Sequence, residues 1–329
     1  MQQRVTSVDV ARHAGVSQST VSLVFSGKGA GRVSEATQQR VRRAARELGY
    51  RPNLAAQALR LGTSRAVALL VPDITNPFFS RVLRGAQRAA QDAGYTVVLV
   101  DTANDRRWEA QSFEALRAGP VDGYLLFEVA APEGLGPDQH VVQMEAEGPR
   151  CPGVRFDNEA GAEALFRLLL ELGHTRIGRL AAAFDAPAFH MREAARRRVL
   201  SEAGLDPDAQ PLASTPIGIE DARAAAGPLL DEQPTAVFCD DDLIAAGLYL
   251  AARERGLSIP ADVSVTGFDD MDFARVLEPP LTTVALDAEK LGETAFGLLE
   301  GRMAGRRTRK RVVLPAELRV RGSTAPPTR

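Results

Sequence analysis

DVARHAGVSQSTVSLVFSG, from Asp9 to Gly27, decides how the chain begins. Val10, Ala11 and Ala14 recur at helical spacing; Gly15 then permits a sharp turn, and Val16 can plug the gap between two helices. Just upstream, Thr6-Ser-Val-Asp9 sets a capping residue three positions before an acid, which predicts a helix from about Ser7 to Ala14. Ser17 suits the N-cap of a second helix, with Thr20 at its third position. That helix buries Val21 and Val24 and turns Gln18, Ser19, Ser22 and Leu23 outward. GKGAGR (27–32) reads as a flexible loop. Ser34 caps a third helix to about Leu48, ended by Gly49 and decorated by Arg40, Arg42, Arg43 and Arg46. The pattern is a helix-turn-helix with a supporting third helix.

Charge points the same way. The chain carries a net charge of −2, yet residues 1–65 hold eleven Lys/Arg against three acids, a net +8, which leaves −10 for the rest. A basic head on an acidic body implies a polyanion partner for the head alone. Short polar side chains opening the second helix suit base edges in a major groove, while arginines suit phosphates.

At 329 residues the chain is long enough for two or three domains, and its composition is that of a soluble globular protein, 45% hydrophobic and 25% charged. The longest apolar runs, such as Ala66–Val71, are strand-sized and too short to span a membrane. The polar N-terminus, without an apolar signal segment, predicts a cytoplasmic protein. Cys151 and Cys239 have neither metal nor redox spacing and read as plain buried thiols.

YRPNLAAQALRLGTSR (50–65) reads as a hinge. Pro52 pushes the preceding residue out of helical geometry, Asn53 can cap a short helix through about Leu61, and Gly62 ends it. Such a helix is below the ~12–15 residues needed for marginal stability alone, so it should order only with a partner. Ala55, Ala56 and Ala58 allow close approach to a twin helix or to DNA and leave Leu59 as an apolar wedge. The alternative is a helical linker whose leucines pack on the body.

Beyond residue 66, strand-like and helix-like segments alternate. Strands are expected at Val67–Val71, Thr96–Val100, Gly123–Phe127, Val141–Met144, Arg176–Leu180, Ala236–Cys239 and Ser264–Gly267. Helices are expected at Phe78–Ala93, Trp108–Arg117, Glu159–Leu172, Arg192–Ala203, Asp221–Leu230, Leu243–Arg255 and Asp287–Leu299. Buried parallel strands separated by helices imply a doubly wound α/β body with room for two lobes. The division is therefore a helix-turn-helix domain over 1–49, a hinge helix and linker over 50–65, a two-lobed domain over 66–325, and a tail over 326–329. GSTAPPTR should be a loose tail. No leucine heptads follow residue 321, so no added tetramerisation helix is expected.

The head resembles the LacI/GalR family closely. The family motif is present as Asp9-Val10-Ala11, Ala14-Gly15, Val16-Ser17, Thr20-Val21-Ser22 and Tyr50-Arg51-Pro52-Asn53. LLVPDITNPFFSRVLRGAQRAAQDAGYTVVLVDT (69–102), VDGYLLF (121–127), LGHTRIGRL (172–180), PTAVFCDDDLIAAGL (234–248) and IPADVSVTGFDDMDFARVLEPPLTTV (259–284) are similar to that family's regulatory domain, which is related to periplasmic sugar-binding proteins. The resemblance implies that Gln18 and Ser19 read bases, with Ser22 and Thr20 near the backbone. Thr6, Ser17, Leu23, Arg32, Asn53, Ala56 and Gln57 complete the expected DNA-contacting set. It implies a homodimer whose paired hinge helices enter the minor groove, Leu59 prying apart the central base step. Leu23 departs from the polar or basic residue many members carry there. Leucine cannot hydrogen-bond a guanine but can pack on thymine methyl groups, which predicts an operator less dependent on guanine at that position.

In the body, crossings near Asp157, Pro280 and Pro315 would divide two noncontiguous lobes around a cleft. Ligands of such sheets sit at the strands' carboxyl ends, here PDITNPFF (72–79), LLFE (125–128), RFDN (155–158), AAAFDAPAFHMR (181–192), CDDD (239–242) and GFDD (267–270). Carboxylates, amides, aromatics and an arginine together suit a polyol or another small polar solute. By resemblance, Arg192 and Asp269 clamp the effector, Asp241, Asn76 and Phe78 contribute, Phe184 or Phe189 forms an apolar wall, and Asp73 and Phe127 complete the set. Three departures stand out: Ala182-Ala183 replaces Gly-Pro, Asp241-Asp242 replaces Asn-Asp, and Glu145 stands where aspartate is frequent. They predict a more acidic cleft.

Asp240-Asp241-Asp242 could be a metal cluster, but acids at a helix start are more often dipole partners. His13, His140, His174 and His190 have no convincing nucleophile partner, GKGAGR lacks the rest of a phosphate loop, and Trp108 reads as packing. No cofactor, metal or catalytic residue is expected. The chain reads as a repressor binding a pseudo-palindromic operator as a homodimer, with a sugar-like effector in the cleft. The alternative is a cytoplasmic small-molecule-binding protein or sugar-processing enzyme with an incidental basic head. Salt-dependent DNA binding separates the two.

Overall fold

Thr6 and Asp9 exchange hydrogen bonds at the start of the first helix: the Thr6 amide donates to Asp9 Oδ2 (2.9 Å) and the Asp9 amide to Thr6 Oγ1 (3.4 Å). The computed structural model describes residues 5–25, 31–50, 63–117, 121–128, 140–146 and 151–328. The chain divides into two compact units, Met1–Ser64 and Arg65–Arg329.

In the first unit, α1 (Ser7–Ala14) turns at Gly15, whose positive φ of 62° lets its amide reach back to Ala11 and Arg12. α2 (Gln18–Phe25) and α3 (Glu35–Glu47) follow. Val10, Ala11, Ala14, Val21, Val24, Val41, Ala44 and Ala45 form its core, with Val16, Phe25 and Tyr50 packed against it. The hinge and its expected DNA contacts Asn53, Ala56, Gln57 and Leu59 lie outside the described residues.

The second unit is two six-stranded sheets with helices on their faces. In hydrogen-bonded order the strands of the first sheet are Arg311–Leu314, Gly153–Phe156, His140–Met144, Gly123–Phe127, Ala66–Val71 and Thr96–Asp101, and those of the second Ala316–Arg319, Thr282–Leu286, Ser264–Asp269, Ala236–Cys239, Ile177–Ala182 and Leu212–Thr215. The first comprises β1 (Ala66–Val71), β2 (Thr96–Asp101), β3 (Gly123–Phe127), β4 (His140–Met144), β5 (Gly153–Phe156) and β11 (Arg311–Leu314). Its helices include α4 (Pro77–Asp92), α5 (Arg106–Arg117) and α10 (Ala288–Met303). The second comprises β6 (Ile177–Ala182), β7 (Leu212–Thr215), β8 (Ala236–Cys239), β9 (Ser264–Asp269), β10 (Thr282–Leu286) and β12 (Ala316–Arg319). α6 (Asn158–Glu171), α7 (Pro187–Glu202), α8 (Ile219–Asp231) and α9 (Asp242–Glu254) belong with it. Phe156, Phe166, Phe238 and Phe268 belong to one continuous core. In the first lobe α4 and α10 approach at glycines: a Cβ on Gly85 would lie 1.9 Å from the Glu289 carbonyl oxygen, and one on Gly292 2.0 Å from that of Val82.

Several expectations are corrected. The chain crosses between lobes at Asp157 and Pro315, but the third crossing is at Asp287 and not near Pro280. Pro279-Pro280 instead precedes β10 within the second lobe, and the chain changes lobes where that strand ends. β12 pairs antiparallel with β10, so the second sheet is mixed. α7 begins at Pro187, five residues before the expected start, because proline is favoured at the first helical position. GSTAPPTR is not loose. Ser323 is fully buried, accepts from the Thr282 amide (2.7 Å) and donates to the Val265 carbonyl (2.6 Å). The Ala325 carbonyl accepts from His174 Nε2 (3.0 Å), and Thr328 donates to Ala261 within the expected 326–329 tail. Trp108 is half exposed, its indole N–H donating to the Asp101 carbonyl (3.0 Å).

Candidate functional site

In the first unit, the start of α2 is a cluster of short hydroxyls. Ser17 Oγ accepts from the Thr20 amide (3.2 Å) and lies 2.7 Å from Ser19 Oγ and 2.9 Å from Thr20 Oγ1. Gln18 Nε2 donates to Ser7 Oγ (3.0 Å), tying α2 to the first residue of α1. Ser17, Gln18, Ser19 and Arg32 are exposed, while Thr20, Ser22 and Leu23 are half-buried. Thr6 serves as the cap of α1. Arg40, Arg42, Arg43 and Arg46 are exposed on α3, which accounts for the local positive charge.

In the second unit, a cavity of about 300 Å³ opens at the carboxyl ends of the two sheets. All eight residues expected there line it: Asp73, Asn76, Phe78, Phe127, Phe184, Arg192, Asp241 and Asp269. All but Arg192, which lies more than one turn into its helix, are placed at or just after a strand end or at a helix start. Asp73 follows β1 and closes an Asx turn by accepting from the Thr75 amide (2.8 Å). Asn76 caps α4, accepting from the Phe78 amide (2.9 Å), and its own amide donates to Asp241 Oδ2 (3.1 Å) across the lobes. Asp241 caps α9, and Asp269 ends β9. Phe184 and Phe189 stack edge to face with centroids 6.4 Å apart, so both belong to the expected wall.

Arg192 projects from α7 into this site. Its Nε donates to Asn158 Oδ1 (3.1 Å), Nη1 to the Asp240 carbonyl, and Nη2 stands 3.9 Å from Asp269 Oδ1. Its guanidinium lies 3.6 Å over the Phe268 ring. Behind it, Arg179 Nε and Nη2 grip both oxygens of the fully buried Asp240 (3.1 and 2.7 Å), and Nη1 reaches Glu193. Asp240 is thus neutralised by Arg179.

The other acids are not neutralised in this way. Burial raises Glu145 to about 7, although it accepts from the Phe156 amide (2.6 Å) and from Asn158 Nδ2 (2.7 Å). Burial, then repulsion from Glu145, raises Glu128 to about 8. Asp241 and Asp269 hydrogen-bond to each other, and burial drives both upward. One proton shared between them is the arrangement that two close carboxyls favour. Asp242, deeper still, accepts from Thr283 Oγ1 (2.7 Å) and the Met271 amide (2.8 Å), and burial raises it to about 8. The cleft is acidic.

Backbone strain gathers at the same place. Glu128, Glu145, Asp269 and Asp270 have φ of 52°, 52°, 111° and 52°, values side chains other than glycine rarely adopt. All four follow or end a strand. Glu128, Phe156 and Asn158 belong to the LLFE and RFDN segments without a role expected for them, and Asp240, expected as a helix-dipole partner, is instead gripped by Arg179. Position at a strand's carboxyl end was the available signal. Among the described residues, no group of His, Cys, Asp or Glu could hold a metal ion, and no helix is long and apolar enough to cross a membrane.

Residues 7–53 match the model of the bacterial regulatory proteins of the lacI family, and residues 166–324 that of a periplasmic binding protein-like domain. The chain is 35% identical to the HTH-type transcriptional repressor CytR of Escherichia coli (strain K12), over 97% of this chain and 96% of that protein. It is 33% identical to the HTH-type transcriptional regulator DegA of Bacillus subtilis (strain 168), over 98% and 99%. Among solved structures, the lac repressor dimer bound to operator and the anti-inducer ONPF matches with a TM-score of 0.84 at 26% identity, covering 98% of this chain and 100% of that one. The CelR–cellobiose complex matches at 0.71 and 31% identity, covering 97% and 100%. With a helix-turn-helix at its start, a two-lobed body behind it and such relatives along nearly its whole length, the chain belongs to the lacI family of bacterial regulatory proteins and is a DNA-binding transcription regulator.

Proposed function

We propose that the chain is a ligand-responsive repressor that binds a pseudo-palindromic operator as a homodimer in the cytoplasm, and that the cleft of its body holds a small polar effector. The observation that carries this reading is the convergence of Asp73, Asn76, Phe78, Phe127, Phe184, Arg192, Asp241 and Asp269 on one cavity between two lobes. Asn76 and Asp241 already join those lobes through a hydrogen bond, so a solute bound there acts on the angle between them. Relatives named as repressors, and one solved with cellobiose, support the repressor and sugar-like effector assignments.

In this reading residues 1–49 read DNA, 50–65 form the hinge, 66–325 sense the effector and pair the subunits, and 326–329 end the chain. Gln18 and Ser19 contact bases; Thr6, Ser17, Thr20, Ser22 and Arg32 hold the backbone; Asn53, Ala56, Gln57 and Leu59 engage the minor groove. Two-fold protein symmetry calls for two-fold DNA symmetry. DNA and effector affinities are then reciprocally coupled, by about 1–3 kcal/mol in typical cases.

The test is selection of binding sites from random duplexes by the full chain, followed by titration at two salt concentrations. Contact with 6–10 phosphates costs roughly 10³–10⁵ in affinity between about 50 and 200 mM salt. Selected sites should be two-fold symmetric, and Leu23→Arg should shift base preference at one position in each half-site. A chain that ignores every duplex in dilute buffer, or turns over a sugar, would be the incidental-head protein instead.

A further inference from the structure

We propose that the effector of this cleft carries a positive charge: a small molecule with at least one protonated amine, its carbon skeleton held among phenylalanines and its ammonium set against Glu128 and the Asp241–Asp269 pair. The inference rests on the effector-binding reading and names the ligand class for that site.

The cavity and its aromatic walls mark a ligand site independently of the acids. What the acids decide is the ligand's charge. Among the described residues Arg192 is the basic residue lining the cavity; its Nε and Nη1 donate to Asn158 and the Asp240 carbonyl, its Nη2 stands 3.9 Å from Asp269 Oδ1, and its face lies on Phe268. Its single positive charge already faces Asp269 within the cleft. Against it stand Asp73 after β1, Glu128 after β3, Glu145 after β4, and Asp241 and Asp269 in the second lobe. Arg155 on β5 also draws on Glu145. Asp240 is already matched by Arg179. Among the described residues no hydrogen-bond donor meets the Glu128 carboxylate, although Arg192 and Glu145 act on it through space.

A carboxylate withdrawn from water without a matching charge is costly, so Glu128, Glu145 and the Asp241–Asp269 pair are all pushed toward their protonated forms. An ammonium supplies the missing positive charge and releases those protons. A neutral polyol leaves the carboxyls protonated, and an anion meets excess negative charge. Amine affinity therefore rises as pH rises through about 7 to 8, where Glu145 and Glu128 titrate.

The test uses the full chain without DNA and two matched trios: 1,4-diaminobutane, 1,4-butanediol and succinate; D-glucosamine, D-glucose and D-glucose 6-phosphate. Calorimetric titration and the ligand-induced rise in melting temperature report binding. The amine of at least one trio should bind roughly tenfold or more tightly than its neutral partner, with the anion weakest. Diaminobutane, charged throughout, should bind more tightly at about pH 8.5 than at about pH 6. Glu128→Gln should lose that preference and keep only the part of the pH dependence that Glu145 supplies; Asp269→Asn provides a second variant if the first melts early. If no amine outranks its neutral partner, whether because the neutral one wins or because none binds, the proposal is overturned. DNA plays no part here, so that failure leaves the operator reading standing. A chain that prefers amines yet ignores DNA would defeat only the repressor.

Discussion

The reading helices and the cleft satisfy their polar groups in opposite ways. In the first unit the partners are near neighbours: Thr6 with Asp9, Ser17 with Thr20, Ser34 with Thr37, each three residues apart and exposed. In the cleft they are distant and buried: Asn76 with Asp241, 165 residues apart; Arg179 with Asp240, 61 apart; Arg192 with Asn158, 34 apart. Local, solvent-facing bonds contribute little each but form as soon as the helix does. Long-range buried bonds depend on the whole fold, and losing one partner leaves a charge without compensation. The difference makes the head an independent reader and the cleft a structure whose chemistry and stability are bound together.

Breaking the distant network should therefore cost most. Arg179→Met leaves Asp240, fully buried, without its bidentate partner and also unties Glu193. A loss of about 3–5 kcal/mol is expected in the urea unfolding of the second unit, with the transition of the first unmoved. A loss below about 1 kcal/mol would show that the cleft tolerates a lone Asp240 and would erase the contrast. Next comes packing. Gly292→Ala places a methyl 2.0 Å from the Val82 carbonyl oxygen, and backbone cannot rotate away as a side chain can. Forcing α4 and α10 apart should cost about 1–3 kcal/mol in the same unfolding measurement.

Sequence legibility follows the same divide. α1 was readable to the residue because its start, its turn and its core all lie within ten positions. β5, β7, β10, β11 and β12 were not. GVRF, LAST, RVVL and AELR are four residues long, and their burial alternates or is slight. β11 is a strand because β5 pairs with it and β12 because β10 does, a fact of topology that no local window contains. The eight cleft residues were placed by resemblance. Their carboxyl-end position gave a physical reason for it, but not the order in which the acids matter. Glu128 could be quoted inside LLFE; its place beside Glu145 required the β3–β4 pairing. The crossing at Asp287 was missed because the prolines at 279–280 are a strong signal for a break and a silent one for which lobe follows.

Within the head, Thr6→Ala removes the acceptor for the Asp9 amide and ends the reciprocal capping. About 1 kcal/mol of the first unit's stability should go, with no change in the second, as read by the two unfolding transitions.

The smallest effect tests the rule at its edge. His13 Nε2 lies 2.9 Å from Glu47 Oε2, a tertiary contact that joins α1 to α3 across 34 residues. Sequence distance alone would rank it with the cleft bonds. But the two side chains are 47% and 52% exposed, so water competes for both groups and salt screens them. His13→Ala should change stability by no more than a few tenths of a kcal/mol, and less at high salt. If it costs as much as Thr6→Ala, separation along the chain is what gives a bond its weight; if it costs almost nothing, burial is, and the cleft owes its dependence on the fold to the water it excludes.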